Sequence, residues 1–161
     1  MSFRRNLVKF AAVLSVFFTG ISFINVPNQT QTVQAAKQST TKKREAVADL
    51  AKKQVGKRYV YGATGPSAFD CSGLTQYVYK KAANKTLPRT TYTQVNKGKS
   101  VSMKNLKKCD LLFWGSTSSP YHVGVYVGDN KYVHAATPGQ GVVEQTLSSY
   151  FYPSAAKRVL N

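Results

Sequence analysis

Two cysteines and two histidines are all that this chain of 161 residues contains, and three of the four stand where nucleophilic chemistry could be done. Cys71 follows Asp70, a residue type that caps helix starts. Behind it Leu74, Tyr77, Val78 and Ala82 recur at spacings of three and four, which places the thiol on the first turn of an amphipathic helix. Unpaired N–H groups and the positive dipole end stabilise a thiolate there, and can lower a cysteine pKa from about 8.5 to roughly 3.5–7.5. A thiolate attacking an amide needs a general base that later protonates the leaving amine, and a third polar group to fix the tautomer of that base. His122 and His134 are the available candidates. In Tyr121-His122-Val123-Gly124-Val125-Tyr126-Val127, alternation puts His122, Gly124 and Tyr126 on one face and the valines on the other. His134 lies in the next apolar run, Tyr132-Val133-His134-Ala135.

For the histidines to meet, the turn between their strands must set the right register. A two-residue loop at Asp129-Asn130 would put His134 opposite Val125, facing the core. A three-residue loop, Gly128-Asp129-Asn130, pairs Val127 with Lys131 and Gly124 with His134, so the histidines become diagonal neighbours on one face. The odd-length loop is therefore expected, with a positive φ at Gly128 or Asn130, and with Gly124 vacating space between the rings. Two other readings of the same residues exist. Cys71 and Cys109 could form a disulfide in an exported protein, although a domain of this length can bury a sufficient core without one. Cys71, His122 and His134 could bind zinc, but their spacings match no metal motif.

The elements that must position these residues are legible from periodicity. A first helix is expected over about 41–55, with Val47, Leu50, Ala51 and Val55 on one face and Gly56 as a stop. After a Gly/Thr/Pro/Ser loop comes the Cys71 helix, ending near Asn84, and then a turn at Leu87-Pro88-Arg89-Thr90-Thr91 leading into a short helix before Gly98. Alternation then predicts strands over 110–114, 121–127, 131–135 and 142–145, and a last one over 157–160. Helices first and antiparallel strands second make an α+β domain, with the nucleophile at a helix start packed on the sheet.

At the N-terminus, Arg4, Arg5 and Lys9 precede an apolar run, and Val33-Gln34-Ala35-Ala36 offers small residues for signal peptidase. Residues 1–35 are read as a cleaved secretory signal that leaves no stable membrane anchor, 36–43 as a disordered linker and 44–161 as the domain. The formal net charge is +17, or +14 once the three basic residues of the signal are removed. On an exported protein such a charge points to anionic wall polymers such as teichoic acid. The scattered lysines carry no aromatic-interleaved motif for nucleic acid.

Several short motifs together resemble the NlpC/P60 family of bacterial cell-wall cysteine peptidases: Tyr59-Val60-Tyr61-Gly62, Phe69-Asp70-Cys71-Ser72-Gly73-Leu74, Leu87-Pro88-Arg89-Thr90-Thr91, Asp110-Leu111-Leu112-Phe113-Trp114, His122-Val123-Gly124-Val125-Tyr126 and Val133-His134-Ala135. The resemblance runs from about Ala46 to the C-terminus. It implies a papain-like fold and hydrolysis of peptidoglycan stem peptides, commonly between γ-D-glutamate and a diamino acid. It also implies Cys71 as nucleophile, His122 as base, His134 as the orienting residue, and Tyr59 as a tyrosine that helps bind the oxyanion. Cys109 stands where the family usually has glycine, and Ala63 replaces a frequent glycine; both put local loop conformation in question, and Cys109 adds a thiol that could oxidise.

The reading is a secreted, wall-associated peptidoglycan endopeptidase, a monomer that requires no metal or organic cofactor. Asp70, Ser72, Arg89 and Thr90 are the substrate-groove candidates, while Trp114 and Tyr61 suit core or groove wall. Two rivals are a non-catalytic basic wall-binding protein, and an acyltransferase on the same fold, which would need an apolar channel that no insertion here supplies.

Overall fold

A computed structural model describes residues 29–161. The expected signal segment falls mostly outside the described residues, and only its end enters the first helix. That helix, α1 (Gln29–Lys52), buries Val47, Ala48 and Ala51 and leaves most of its N-terminal half in solvent. It corrects the disordered linker expected over 36–43, which is helical. No glycine or proline interrupts 29–52, so a helix nucleated on the buried turns propagates backwards without meeting a breaker. The chain end ties it down: Thr40 Oγ1 donates to the Asn161 carbonyl (3.1 Å) and Arg44 Nη1 to that of Leu160 (3.3 Å). Val55, expected on the buried face, lies beyond the helix and is exposed.

A two-residue parallel ladder, β1 (Arg58–Tyr59) with β2 (Ala68–Phe69), leads into α2 (Cys71–Ala83), which ends at Asn84 in a left-handed cap. After the single-turn α3 (Thr91–Gln94) the chain turns to strands: β3 (Lys99–Ser100), β4 (Leu111–Gly115), β5 (Pro120–Gly128), β6 (Lys131–Ala135), β7 (Val142–Thr146) and β8 (Ala155–Arg158). They form one antiparallel sheet in the order β3-β8-β4-β5-β6-β7. The last strand starts two residues earlier than alternation suggested, and β3 had no sequence signal.

The sheet has two differently used faces. Leu111, Phe113, Val123, Val125 and Val133 pack with Val47, Leu74, Val78 and Tyr79 of the helices in the main core. Leu112, Trp114 and Tyr132 project the other way into a second cluster with Phe151 against it. His122 and His134 belong to that second face by alternation, as the period-two pattern requires.

Asp110, at the entry to β4, is fully buried and held by Arg158 (Nη2 to Oδ2, 2.7 Å) and Arg44 (Nη2 to Oδ1, 2.9 Å), with the Lys107 N–H as a further donor. Those guanidinium groups satisfy a carboxylate that could not be buried alone, and they tie α1 and β8 to the start of β4.

Candidate active site

Asp70 organises the start of α2. Its Oδ1 accepts the Gly73 N–H (2.7 Å), capping the helix, and its Oδ2 accepts the Gly62 N–H (2.8 Å). Both carboxylate oxygens also take the Arg89 guanidinium, whose Nη1 reaches Ser72 Oγ as well (2.8 Å). Burial alone would raise the Asp70 carboxyl, but the Arg89 bond and the two backbone donors hold it below its ordinary value. Gly73 has a steric reason: a Cβ there would lie 2.1 Å from the Ala63 carbonyl oxygen. That carbonyl accepts the Asp70 N–H (2.9 Å), which fixes the loop against the helix start. Ala63 itself keeps an ordinary φ, so the missing glycine costs no strain, and Gly62 carries the positive φ (82°) of this loop.

The Cys71 thiol is half-buried. Burial, then the neighbouring Asp70 carboxylate, raises its pKa, with partial relief from the N–H groups of Val123, Ser72 and Cys71. The net direction is opposite to the lowering expected at a helix start: the cap carboxylate accepts the Gly73 N–H and sets negative charge next to the sulfur, and with burial this outweighs the N–H groups of the first turn. The opposite shift acts on His122, which burial, then His134, hold well below the ordinary histidine range. Burial also lowers His134. These directions favour a neutral thiol and neutral imidazoles over the ion pair.

His122 Nε2 and His134 Nδ1 are 2.6 Å apart. The register that brings them together is the expected one, with Tyr126 opposite Tyr132 and Val125 opposite Val133. The loop is not. Asp129 and Asn130 form a two-residue turn with φ of 50° and 59°, and the pairing shifts between Tyr126 and Gly128, so that Gly128 lies opposite Lys131. Primed hairpin turns match strand twist, and the bulge at Val127 restores by one residue what the short turn would have lost. Gly124 has the expected role: a Cβ there would stand 3.2 Å from His134 Cβ.

Aromatic rings pack around the pair on the sheet side. Trp114 lies 5.4 Å from the His122 ring and stacks on Phe151 at 4.9 Å, with Tyr132 4.8 Å from His134. Beyond His134 stands Gln145, whose Oε1 is 2.9 Å from His134 Nε2. Gln145 belongs to none of the sequence motifs. Its signal was alternation with Val143, usable only once the β6–β7 register was known. The bond between the two imidazoles also uses a lone pair that a zinc site would need.

Two cavities adjoin at Tyr59, Cys71 and Tyr121. One, of about 350 Å³, is lined by Asp70, Ser72, Arg89 and Thr90. The other, of about 510 Å³, is lined by His122, His134, Gln145 and Phe151. Pairing of β1 with β2 sets Tyr59 opposite Phe69 and hence next to the nucleophile. Burial, then the neighbouring Cys71 and Asp70 side chains, raise its phenol, which therefore stays a hydrogen-bond donor. Both cysteines are free. Cys109 is fully buried, pushed up to about 11 by burial, and left-handed at φ 70°, the conformation that explains glycine as its usual occupant. Its thiol is shielded, contrary to the oxidisable one expected.

A family model described as the NlpC/P60 family matches residues 56–160. Among curated relatives, Protein P54 of Enterococcus faecium is 41% identical over 105 residues, covering 65% of this chain and 20% of that protein. Murein DD-endopeptidase MepS/Murein LD-carboxypeptidase of Escherichia coli K12 is 38% identical over 109 residues, covering 66% of this chain and 57% of that protein. The chain thus spans well under two thirds of either relative. The crystal structure of the NlpC/p60 domain of peptidoglycan hydrolase SagA superposes with a TM-score of 0.67 at 37% identity, over 71% of this chain and 97% of that one. With helices packed on an antiparallel sheet, a cysteine at a helix start and a histidine pair on the strands facing it, this papain-like chain belongs to the NlpC/P60 family.

Proposed function

We propose that the protein is a peptidoglycan endopeptidase that cleaves stem-peptide amide bonds, between γ-D-glutamate and a diamino acid, by a Cys71–His122–His134 mechanism. The observation that carries this reading is the direct ring-to-ring bond of His122 and His134 in a cavity shared with Cys71. His122 takes the thiol proton as the sulfur attacks the carbonyl carbon. The oxyanion is held by the Cys71 N–H and the Tyr59 hydroxyl. As the tetrahedral species collapses, the imidazolium gives its proton to the departing amine, leaving a thioester. Water, deprotonated by the same imidazole, then releases the acyl product and restores the thiol.

Since His122 must reach the leaving nitrogen, the histidine-side cavity takes the amine component and the Arg89 side the acyl component. Asp70 and Ser72 act there through Arg89, whose guanidinium they hold, and Thr90 lines the same wall. The chain is read as exported after cleavage at Ala35 and as working as a monomer, with its basic surface held by anionic wall polymers. Among the described residues no helix is long and apolar enough to cross a membrane. Digesting purified muropeptides and identifying the fragments by mass spectrometry tests the bond. New amines on the diamino acid are expected, and intact muropeptides alongside undiminished wall binding would leave the wall-binding reading instead.

A further inference from the structure

The histidine pair can act as a base only if its hydrogens point one way, and nothing within the pair decides which. If His122 Nε2 carries hydrogen and donates to His134 Nδ1, then His122 Nδ1 is a bare lone pair able to take the thiol proton. If His134 Nδ1 carries it, His122 Nε2 accepts and His122 Nδ1 holds hydrogen, so the thiol proton has nowhere to go. The 2.6 Å contact fits either state.

Gln145 breaks this symmetry. It sits in β7 opposite Tyr132, with His134 opposite Val143. Its Oε1 lies 2.9 Å from His134 Nε2 and 2.9 Å from the Tyr132 hydroxyl, which donates to it. An amide oxygen has two lone pairs and no hydrogen, so His134 Nε2 must be the donor, Nδ1 the acceptor, and His122 Nε2 the donor to it. Turned over, the amide NH2 would donate to His134 Nε2 and reverse every bond. The Tyr132 hydroxyl hydrogen would then face an NH2 group and lose its acceptor. Tyr132 is buried and its phenol is pushed up to about 12 by burial, so that hydrogen stays in place.

We propose that Gln145, oriented by Tyr132, is a positioning residue that sets the proton direction of the His122–His134 pair and so keeps His122 competent as a base. This inference rests on the peptidase reading for its kinetic consequences but not for the tautomers it assigns. The titratable groups facing the pair are Cys71 from α2, Tyr59 from β1, Tyr121 from β5 and Tyr132 from β6. Glu144 is on the opposite face of β7, paired with Lys131 (3.1 Å), so no side-chain charge lies between Gln145 and the rings.

With only two histidines in the chain, ring-nitrogen NMR of the full-length, 15N-histidine-labelled protein reads both tautomers directly. Nε2–H on both rings with bare Nδ1 atoms is expected. In Gln145→Met, mixed tautomers and a fall in kcat of about 10–100-fold with little change in KM are expected, the range typical of lost orienting partners. Gln145→Glu keeps an acceptor oxygen, replaces the NH2 group by a second one and adds negative charge, so it should stay active, with the acid limb of its pH profile moved upward because a carboxylate favours the imidazolium. A carboxylate has no wrong way round, so Tyr132→Phe should cost activity in the wild-type background and little in the Gln145→Glu background. Nδ1–H on His134, tautomers unchanged in Gln145→Met, or equal Tyr132→Phe losses in both backgrounds would overturn the proposal. If wild-type protein cleaved no muropeptide while the NMR pattern appeared as expected, the peptidase reading would fail and the assigned polarity would stand.

Discussion

Cys71 and Cys109 show how strongly surroundings divide two chemically identical side chains. Cys71 opens onto both cavities, whereas Cys109 is sealed in the core with the Tyr79 hydroxyl against its carbonyl and 3.4 Å from its sulfur. One thiol should therefore react quickly with a disulfide reagent in the folded protein, and the second only on unfolding. Cys71→Ser should abolish muropeptide cleavage at unchanged melting temperature, and Cys109→Ser should remain active. Two fast thiols in the native protein would contradict the burial of Cys109. The depressed histidines make a further prediction at this scale. His122 must be neutral to accept the thiol proton, and its pKa lies below the ordinary value near 6.5. The acid limb of kcat/KM should accordingly lie below about pH 6.5, and a limb at or above that value would rule out a neutral resting pair. Linkage has the same sign. Below pH 6.5 the unfolded chain binds protons that the folded one excludes, so stability present above 6.5 is lost as pH falls toward the folded values. The melting temperature should drop across that window, and His122→Gln should flatten the slope.

Strands β5 and β6 carry the site as an element pair, and their geometry leaves one narrow gap, at Gly124. A methyl group there would press at 3.2 Å on His134 Cβ, Tyr132 Cδ2 and the Val133 carbonyl. Rigid sheet backbone cannot yield as a side chain could. Gly124→Ala should cost about 1–3 kcal/mol in denaturant unfolding, as overpacking does. It should also lower kcat by about tenfold or more, because displacing a catalytic group by a fraction of an ångström is felt strongly. Normal kcat in a destabilised Gly124→Ala would mean that the histidine spacing is not critical. The bulge at Val127 is the other device of this pair. It was not legible beforehand because turn length and bulge compensate: a three-residue loop and a two-residue turn with one bulged residue give the same register near the histidines.

On the scale of the whole molecule, part of the basic charge lies away from the candidate site. A cavity of about 660 Å³ between α1 and the chain end is lined by Lys37, Lys107 and Lys108 with Glu45, and by Arg44 and Arg158, which pair with Asp110; it shares no lining residue with the two cavities at Cys71. Charges spread over such a surface are screened as the Debye length shrinks from about 10 Å at 0.1 M salt to about 3 Å at 1 M. Binding to intact walls should fall steeply over that range, while cleavage of a small neutral muropeptide should change little. Equal sensitivity would place the effective charge in the groove itself.

What the amino-acid order determined alone was local and periodic. Asp70 ahead of an apolar stripe dictates a capped helix with Cys71 on its first turn, and alternation around His122 and His134 dictates which face each ring must take, because side-chain direction repeats every 3.6 residues in one case and every two in the other. Helical 36–43 was also latent there, in the absence of any breaker. Only the tertiary structure decided the rest. The Arg89 clasp on Asp70 and the aromatic wall of Trp114 and Phe151 join residues far apart in the chain. Gln145 reaches His134 only because β7 pairs with β6 in one particular register. The Cys71 pKa divides the same way: helix-start placement alone argued for lowering it, but burial, which only packing decides, raises it together with the adjacent Asp70 carboxylate.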